Sequence, residues 1–173
     1  MTDKHLATYL NDHLSGSTVA LELLEHLEAS HEGSEIGRFA AALRTDIAAD
    51  RRELEELMRR LHVDESRTRK ASAWLTEKLT ELKLRLDDPK GGSLRLLEIF
   101  DALSIGIEGK RLLWRSLANA AEGAPALGSF DYGRLIQRAE EQRSRVETLR
   151  LDAAKEALAP SAAVSELHGR FRT

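Results

Sequence analysis

Apolar residues recur at spacings of three and four through four long segments of this 173-residue chain. That spacing places them on one face of an α-helix and leaves polar residues on the opposite face. The hydrophobic fraction of 42% is enough to build a core, whereas an aromatic fraction of 5% is low for a protein made of β-sheets. The sequence therefore predicts an all-α fold, and its length suits a single domain.

Helix caps and helix-breaking residues set the expected boundaries. Long helices are expected over 3–31, 35–62, 93–121 and 130–159, and a shorter amphipathic helix over 67–86. The turn after the first helix is short, so the first two helices should be antiparallel neighbours. Two such hairpins, joined by a crossover that traverses the molecule, predict an up-down four-helix bundle over 1–160. Residues 161–173 are expected to form a C-terminal tail.

Polar residues interrupt the apolar faces of these helices at six positions: His13, Ser17, Asp50, Lys110, Gln142 and Arg143. Counted from the end that carries the first turn, all of them except His13 lie about 15 to 17 residues up, and His13 lies one turn higher. A buried charge without a partner is costly, so Asp50 is expected to accept hydrogen bonds from Lys110 or Arg143. Ser17 and Gln142 would complete this buried polar layer.

The order of two long hairpins and a crossover resembles the ferritin-like superfamily, over about residues 3 to 159. The resemblance implies a di-iron site at mid-height, with one carboxylate from each of two helices and a Glu-x-x-His pair from each of the other two. In this chain the Glu-x-x-His pattern occurs once, from Glu28 to His31, at the end of the first helix. Lys110 and Arg143 would also repel a metal ion. We therefore expect fixed cations in place of the metal, no cofactor and no catalytic residue.

Two residue sets leave alternatives open. His13 would serve either as a metal ligand or proton shuttle, or as a hydrogen-bonded core residue. Asp50 and Lys110 would form either an acid–base pair or a structural ion pair. The metal alternative is an unconventional iron or manganese site drawn from His13, Glu22, Asp50, Glu53 and Glu108.

Gly106 and Gly109 lie within the third long helix, where glycine is unfavourable. A phosphate-binding loop would require a strand before them, so close packing against a neighbouring helix is the expected reason for them. The same helix carries a second apolar patch outside its main stripe, made of Leu94, Ile105, Leu112 and Leu113. Either the crossover helix or a second subunit would cover this patch, which favours a homo-oligomer and in particular a dimer.

Charge and composition limit the partners. A formal net charge of -3 gives no general attraction to nucleic acid or to anionic membranes. The basic patch of Arg67, Arg69 and Lys70 would be either a nucleic-acid contact or the solvated face of the crossover helix, and we expect the second. No apolar signal-peptide region or long apolar run is present, so no membrane association and a cytoplasmic location are expected.

The chain contains no cysteine, which excludes disulfides and thiolate ligands from its chemistry. The sequence thus predicts a soluble, non-catalytic helical-bundle protein with an ion-pair layer in place of a metal site. It would act by self-association or by binding a protein partner, as the resemblance implies for stress-related and uncharacterised bacterial proteins of this type. The alternative is a metal-binding ferritin-like oxidoreductase.

Overall fold

The computed structural model describes residues 4–65 and 92–159, which contain four long α-helices and no β-strand. The helices are α1 (Lys4–Ser30), α2 (Glu35–Arg60), α3 (Gly92–Ala121) and α4 (Tyr132–Leu158), with a short 3-10 turn at Pro125–Leu127. The all-helical prediction is confirmed for this part of the chain. Each helix begins and ends within two residues of its predicted boundary.

Three predictions concern other parts of the chain. The crossover helix over 67–86, the tail over 161–173 and the basic patch of Arg67, Arg69 and Lys70 lie outside the described residues. Within the described ranges, none of the helices combines the length and the apolar character needed to cross a membrane.

The turn between α1 and α2 depends on two glycines. Gly33 has a φ of 76°, a left-handed conformation that glycine adopts without steric cost. The Ser34 hydroxyl then accepts a 3.1 Å hydrogen bond from the backbone nitrogen of Gly37 and caps α2. A Cβ atom at Gly37 would lie 2.2 Å from the backbone oxygen of His31, so the tight turn has no room for a larger residue.

Contacts along both hairpins join residues whose numbers rise in one helix and fall in the other. In the first hairpin Arg44 contacts Glu28, and Arg51 contacts Thr18. In the second, Asp101 lies 3.3 Å from Arg150. The two helices of each hairpin therefore run in opposite directions.

The apolar core consists of two clusters, one above the other along the helices. The cluster toward the α1–α2 turn, which we call the lower cluster, extends to Ile47 on α2, and the upper cluster starts at Leu54. On α3 the lower cluster extends to Ile107 and the upper cluster starts at Leu113. The core stripes of α2 and α3 therefore each contain one gap, and a polar residue occupies it. These two gaps lie at the same height and form the candidate site.

Candidate functional site

Three side chains from three helices meet in these gaps and form what we call the polar cluster: Asp50 of α2, Lys110 of α3 and Gln142 of α4. The Lys110 Nζ donates hydrogen bonds to Asp50 Oδ2 and to Gln142 Oε1. The Gln142 Nε2 donates a 2.8 Å hydrogen bond to the same Asp50 oxygen. Asp50 and Gln142 are only 3% and 2% exposed, so the cluster is a closed triangle of hydrogen bonds inside the bundle.

Arg138 supplies a second cation to the polar cluster. Its Nη2 atom lies 3.0 Å from Asp50 Oδ1, in an ion pair that is not aligned as a hydrogen bond. Sequence reasoning missed this residue because Arg138 lies toward the flank of the apolar face of α4. It is one helical turn before Gln142, and that i, i+4 spacing was the available signal. The Asp50 carboxylate thus faces a cation on each of its two oxygens.

Burial dominates the electrostatics of the Lys110 amine. It lowers the pKa of Lys110 below the ordinary value of 10.5, because the charged ammonium loses its hydration. The Asp50 carboxylate opposes this shift through its charge and its hydrogen bond, and the Arg138 charge adds to it. Two of the three ammonium protons are donated to Asp50 and Gln142. The amine is therefore held by its neighbours instead of being presented to a substrate.

The polar cluster borders a surface groove of about 450 Å³ between α2 and α4. Arg138 and Gln142 line this groove, together with Asp46 and Arg145. The last two residues form an ion pair across it, with both side chains about 40% exposed. Arg138 also reaches the backbone oxygen of Asp46, at 3.5 Å. Asp46, Arg138 and Arg145 thus each have an ion-pair partner within the protein. Glu141, which also lines the groove, accepts a 2.9 Å hydrogen bond from Gln137.

The structure places three residues of the predicted layer away from the polar cluster. The Ser17 hydroxyl donates to the backbone oxygen of Leu14 at 2.6 Å and accepts from Arg51. The His13 ring packs edge-on against Tyr9, with centroids 4.7 Å apart. Arg143 is 50% exposed and lies 3.4 Å from Glu108. These positions correct the expectation of a six-residue layer. Arg143 lies outside it because it follows Gln142 on α4 and is therefore rotated by about 100° toward solvent.

The alternative metal ligands do not converge. Glu53 forms a 2.7 Å ion pair with Arg134, and Glu108 accepts two hydrogen bonds from Arg111. These bonds lower the pKa of Glu108 and keep it ionised as a partner of arginine. Glu22 lines a separate groove between α1 and α2. Over residues 4–65 and 92–159, no group of three histidine, aspartate or glutamate side chains could hold a metal ion.

The outward face of α3 differs from its prediction in two respects. Leu94, Ile105 and Leu112 are exposed, whereas Leu113 is buried in the upper core cluster and does not belong to the apolar patch. A Cβ atom at Gly106 or Gly109 would meet nothing within 4 Å, so no described neighbour requires these two glycines for close packing. The patch is therefore an outer surface of the described part of the chain.

His13 makes the stability of the protein depend on pH. Burial lowers its pKa below 6.5, because the imidazolium form loses hydration in the fold. Between the folded pKa and 6.5 the unfolded chain binds more protons, so the free energy of unfolding should fall as the pH falls through this window. In urea unfolding between pH 7.5 and 5, the free energy of unfolding should decline less steeply for His13→Gln than for the wild type. The matched control, His5→Gln at an exposed position, should keep the wild-type slope, and equal slopes for all three proteins would contradict the prediction.

Comparisons of this chain with protein-family models, with curated proteins and with solved structures find no match.

Proposed function

We propose that this chain is a non-catalytic helical-bundle protein that acts by associating with itself or with a protein partner. The polar cluster would be a structural element in place of a functional metal site. The observation that carries this proposal is that the lysine, carboxylate and amide of the cluster are hydrogen-bonded to one another. A site built for a substrate or a metal ion would instead present unpaired polar atoms to a cavity.

A buried polar cluster can select one arrangement of helices. Sliding α2, α3 or α4 along its axis would leave Asp50 or Lys110 facing apolar side chains, and an unpaired buried charge is strongly unfavourable. Apolar side chains tolerate such a shift better, because their contacts are not directional. The polar cluster would therefore set the alignment of three helices, as single buried polar residues do in coiled coils.

The proposal includes a ferritin-like, up-down arrangement of the four helices. It is supported by the two hairpins and by contacts between them, in which Asp46 meets Arg145 and Glu53 meets Arg134. In the metal-binding proteins that this topology resembles, carboxylates surround the ion at mid-height. Here Lys110 and Arg138 would supply the positive charge at that height, and no cofactor is part of the proposal.

Replacing the whole polar cluster tests its structural role. The variant Asp50→Leu, Lys110→Met, Gln142→Leu also carries Arg138→Met, so that no cation is left without its partner. It is expected to fold with a free energy of unfolding equal to the wild type or up to about 4 kcal/mol higher, since apolar replacement avoids the desolvation of charges. Urea unfolding measures the free energy of unfolding, and circular dichroism measures the helix content. Wild-type self-association or partner binding should survive in this variant if the cluster has no chemical role. A free energy of unfolding well below that of Asp50→Ala alone would contradict the proposal.

Metal analysis separates the proposed function from its enzymatic alternative. Protein purified without a tag should contain iron or manganese far below one ion per chain. Stoichiometric metal that is lost on Asp50→Ala would contradict the proposal, and would favour an unconventional site among His13, Glu22, Asp50, Glu53 and Glu108. Stoichiometric metal that persists in that variant would also contradict a metal-free protein.

A further inference from the structure

The outward face of α3 carries three exposed apolar side chains, opposite the face that enters the core. Leu94, Ile105 and Leu112 are 50%, 73% and 47% exposed. Spacings of eleven and seven residues place them on one line along the helix. Gly109 lies beside that line, and the space around it is open. The face therefore combines protruding apolar side chains with a position where another helix backbone could approach closely.

Opposite charges stand on one flank of this line, fourteen residues apart. Asp101 has a side chain that is 48% exposed, with Arg150 at 3.3 Å, and Arg115 is exposed. A parallel two-fold pairing of two α3 helices would place the two copies of this flank on opposite sides of the contact line, whereas an antiparallel two-fold pairing brings them together. In an antiparallel pairing, Asp101 would face an arginine.

We propose that α3 pairs antiparallel with α3 of a second copy of this chain, about a two-fold axis close to Glu108 and Gly109. In a two-fold interface, contacts are reciprocal, so residue i meets j when j meets i. The midpoint of Ile105 and Leu112 lies between residues 108 and 109, and the midpoint of Asp101 and Arg115 is residue 108. The two midpoints differ by half a residue, so one antiparallel alignment brings Ile105 close to Leu112 of the partner subunit and Asp101 close to Arg115 of the partner subunit, with an offset of about one residue between the two pairs.

The residues next to the axis are compatible with this register. Gly109 lies at the crossing point, where the absence of a side chain lets the two backbones approach. The two copies of Glu108 would lie near each other, but Arg111 already neutralises this carboxylate through two hydrogen bonds, and Arg143 lies 3.4 Å away. The self-complementary register is the reason to assign the face to a second copy and not to a different protein or another segment of the chain.

This inference rests on the self-association part of the proposed function. Sedimentation equilibrium of the full chain should show a dimer for the wild type. Ile105→Glu should weaken dimerisation by about tenfold or more, because it places a charge where an apolar side chain is buried. The control Leu151→Glu, at an exposed apolar position on α4, should leave the dimer unchanged.

Three further variants keep the test independent of folding defects. Gly109→Gln replaces a poor helix former with a good one in open space, so it should preserve the fold and still weaken the dimer by separating the helices. Arg115→Asp should weaken the dimer, whereas Arg115→Lys, which keeps the positive charge opposite Asp101, should not.

The contrary outcomes are distinct. A monomeric wild type would overturn the inference, while binding of a protein partner would remain as the proposed function. A dimer that survives Ile105→Glu and Gly109→Gln would place self-association on another surface. Equal weakening by Leu151→Glu, or an unchanged dimer in Arg115→Asp, would also overturn the register. Stoichiometric metal would instead contradict the proposed function itself.

Discussion

Replacing Asp50 with alanine is expected to lower the free energy of unfolding by about 3 to 5 kcal/mol, because it leaves buried cations without their counter-charge. Lys110 would keep only the Gln142 oxygen as an acceptor, and Arg138 would lose its buried ion-pair partner. The cost of an unpaired cation in the core exceeds the net contribution of the intact pair. Urea unfolding at pH 7, monitored by circular dichroism, measures the change.

Asp46→Ala is the matched control for this prediction, one helical turn earlier on α2. Asp46 pairs with Arg145 at the surface, where both side chains are about 40% exposed. Solvent-exposed ion pairs contribute little, so this variant should lose less than about 1 kcal/mol. A similarly small loss for Asp50→Ala would mean that water reaches Lys110, and it would contradict the description of the polar cluster as buried.

Trp114→Ala should also be strongly destabilising, by about 3 to 5 kcal/mol, through loss of apolar contacts in the upper core cluster. Trp114 is only 1% exposed, and its ring lies 6.5 Å from that of Tyr132. Among residues 4–65 and 92–159, its indole Nε1 has no hydrogen-bond partner. The loss should therefore come from packing and not from a polar contact.

Trp114→Phe separates these two causes. It keeps much of the apolar volume and removes the buried donor, so the loss should be clearly smaller than for alanine. Leu158→Ala, at an exposed position on α4, should change the stability by less than about 0.5 kcal/mol. Thermal unfolding of the three variants gives the comparison. Equal losses for phenylalanine and alanine would show that the indole nitrogen has a partner that stabilises the fold.

Much of the architecture follows from the sequence because helix formation is governed by local spacing. The apolar periodicity and the breakers around Gly33 and Gly123 place every helix end within two residues of its position. The same periodicity, with heights counted along the helices, indicates that Asp50, Lys110 and Gln142 lie inside the bundle at one level. The structure brings the three together. Helical geometry converts a residue number into an angle and a height, and these two coordinates need no tertiary information.

Only the tertiary structure decides which long side chains complete the polar cluster. Arg138 reaches Asp50, although Arg143 was the arginine predicted to do so, because a flexible arginine on a flank can extend inward while the residue after Gln142 points outward. Ser17 and His13 have the right heights, but Ser17 bonds to its own helix and His13 packs against Tyr9. The rotation of each helix about its axis and the reach of its side chains depend on packing against neighbours. Spacing along one segment does not contain that information.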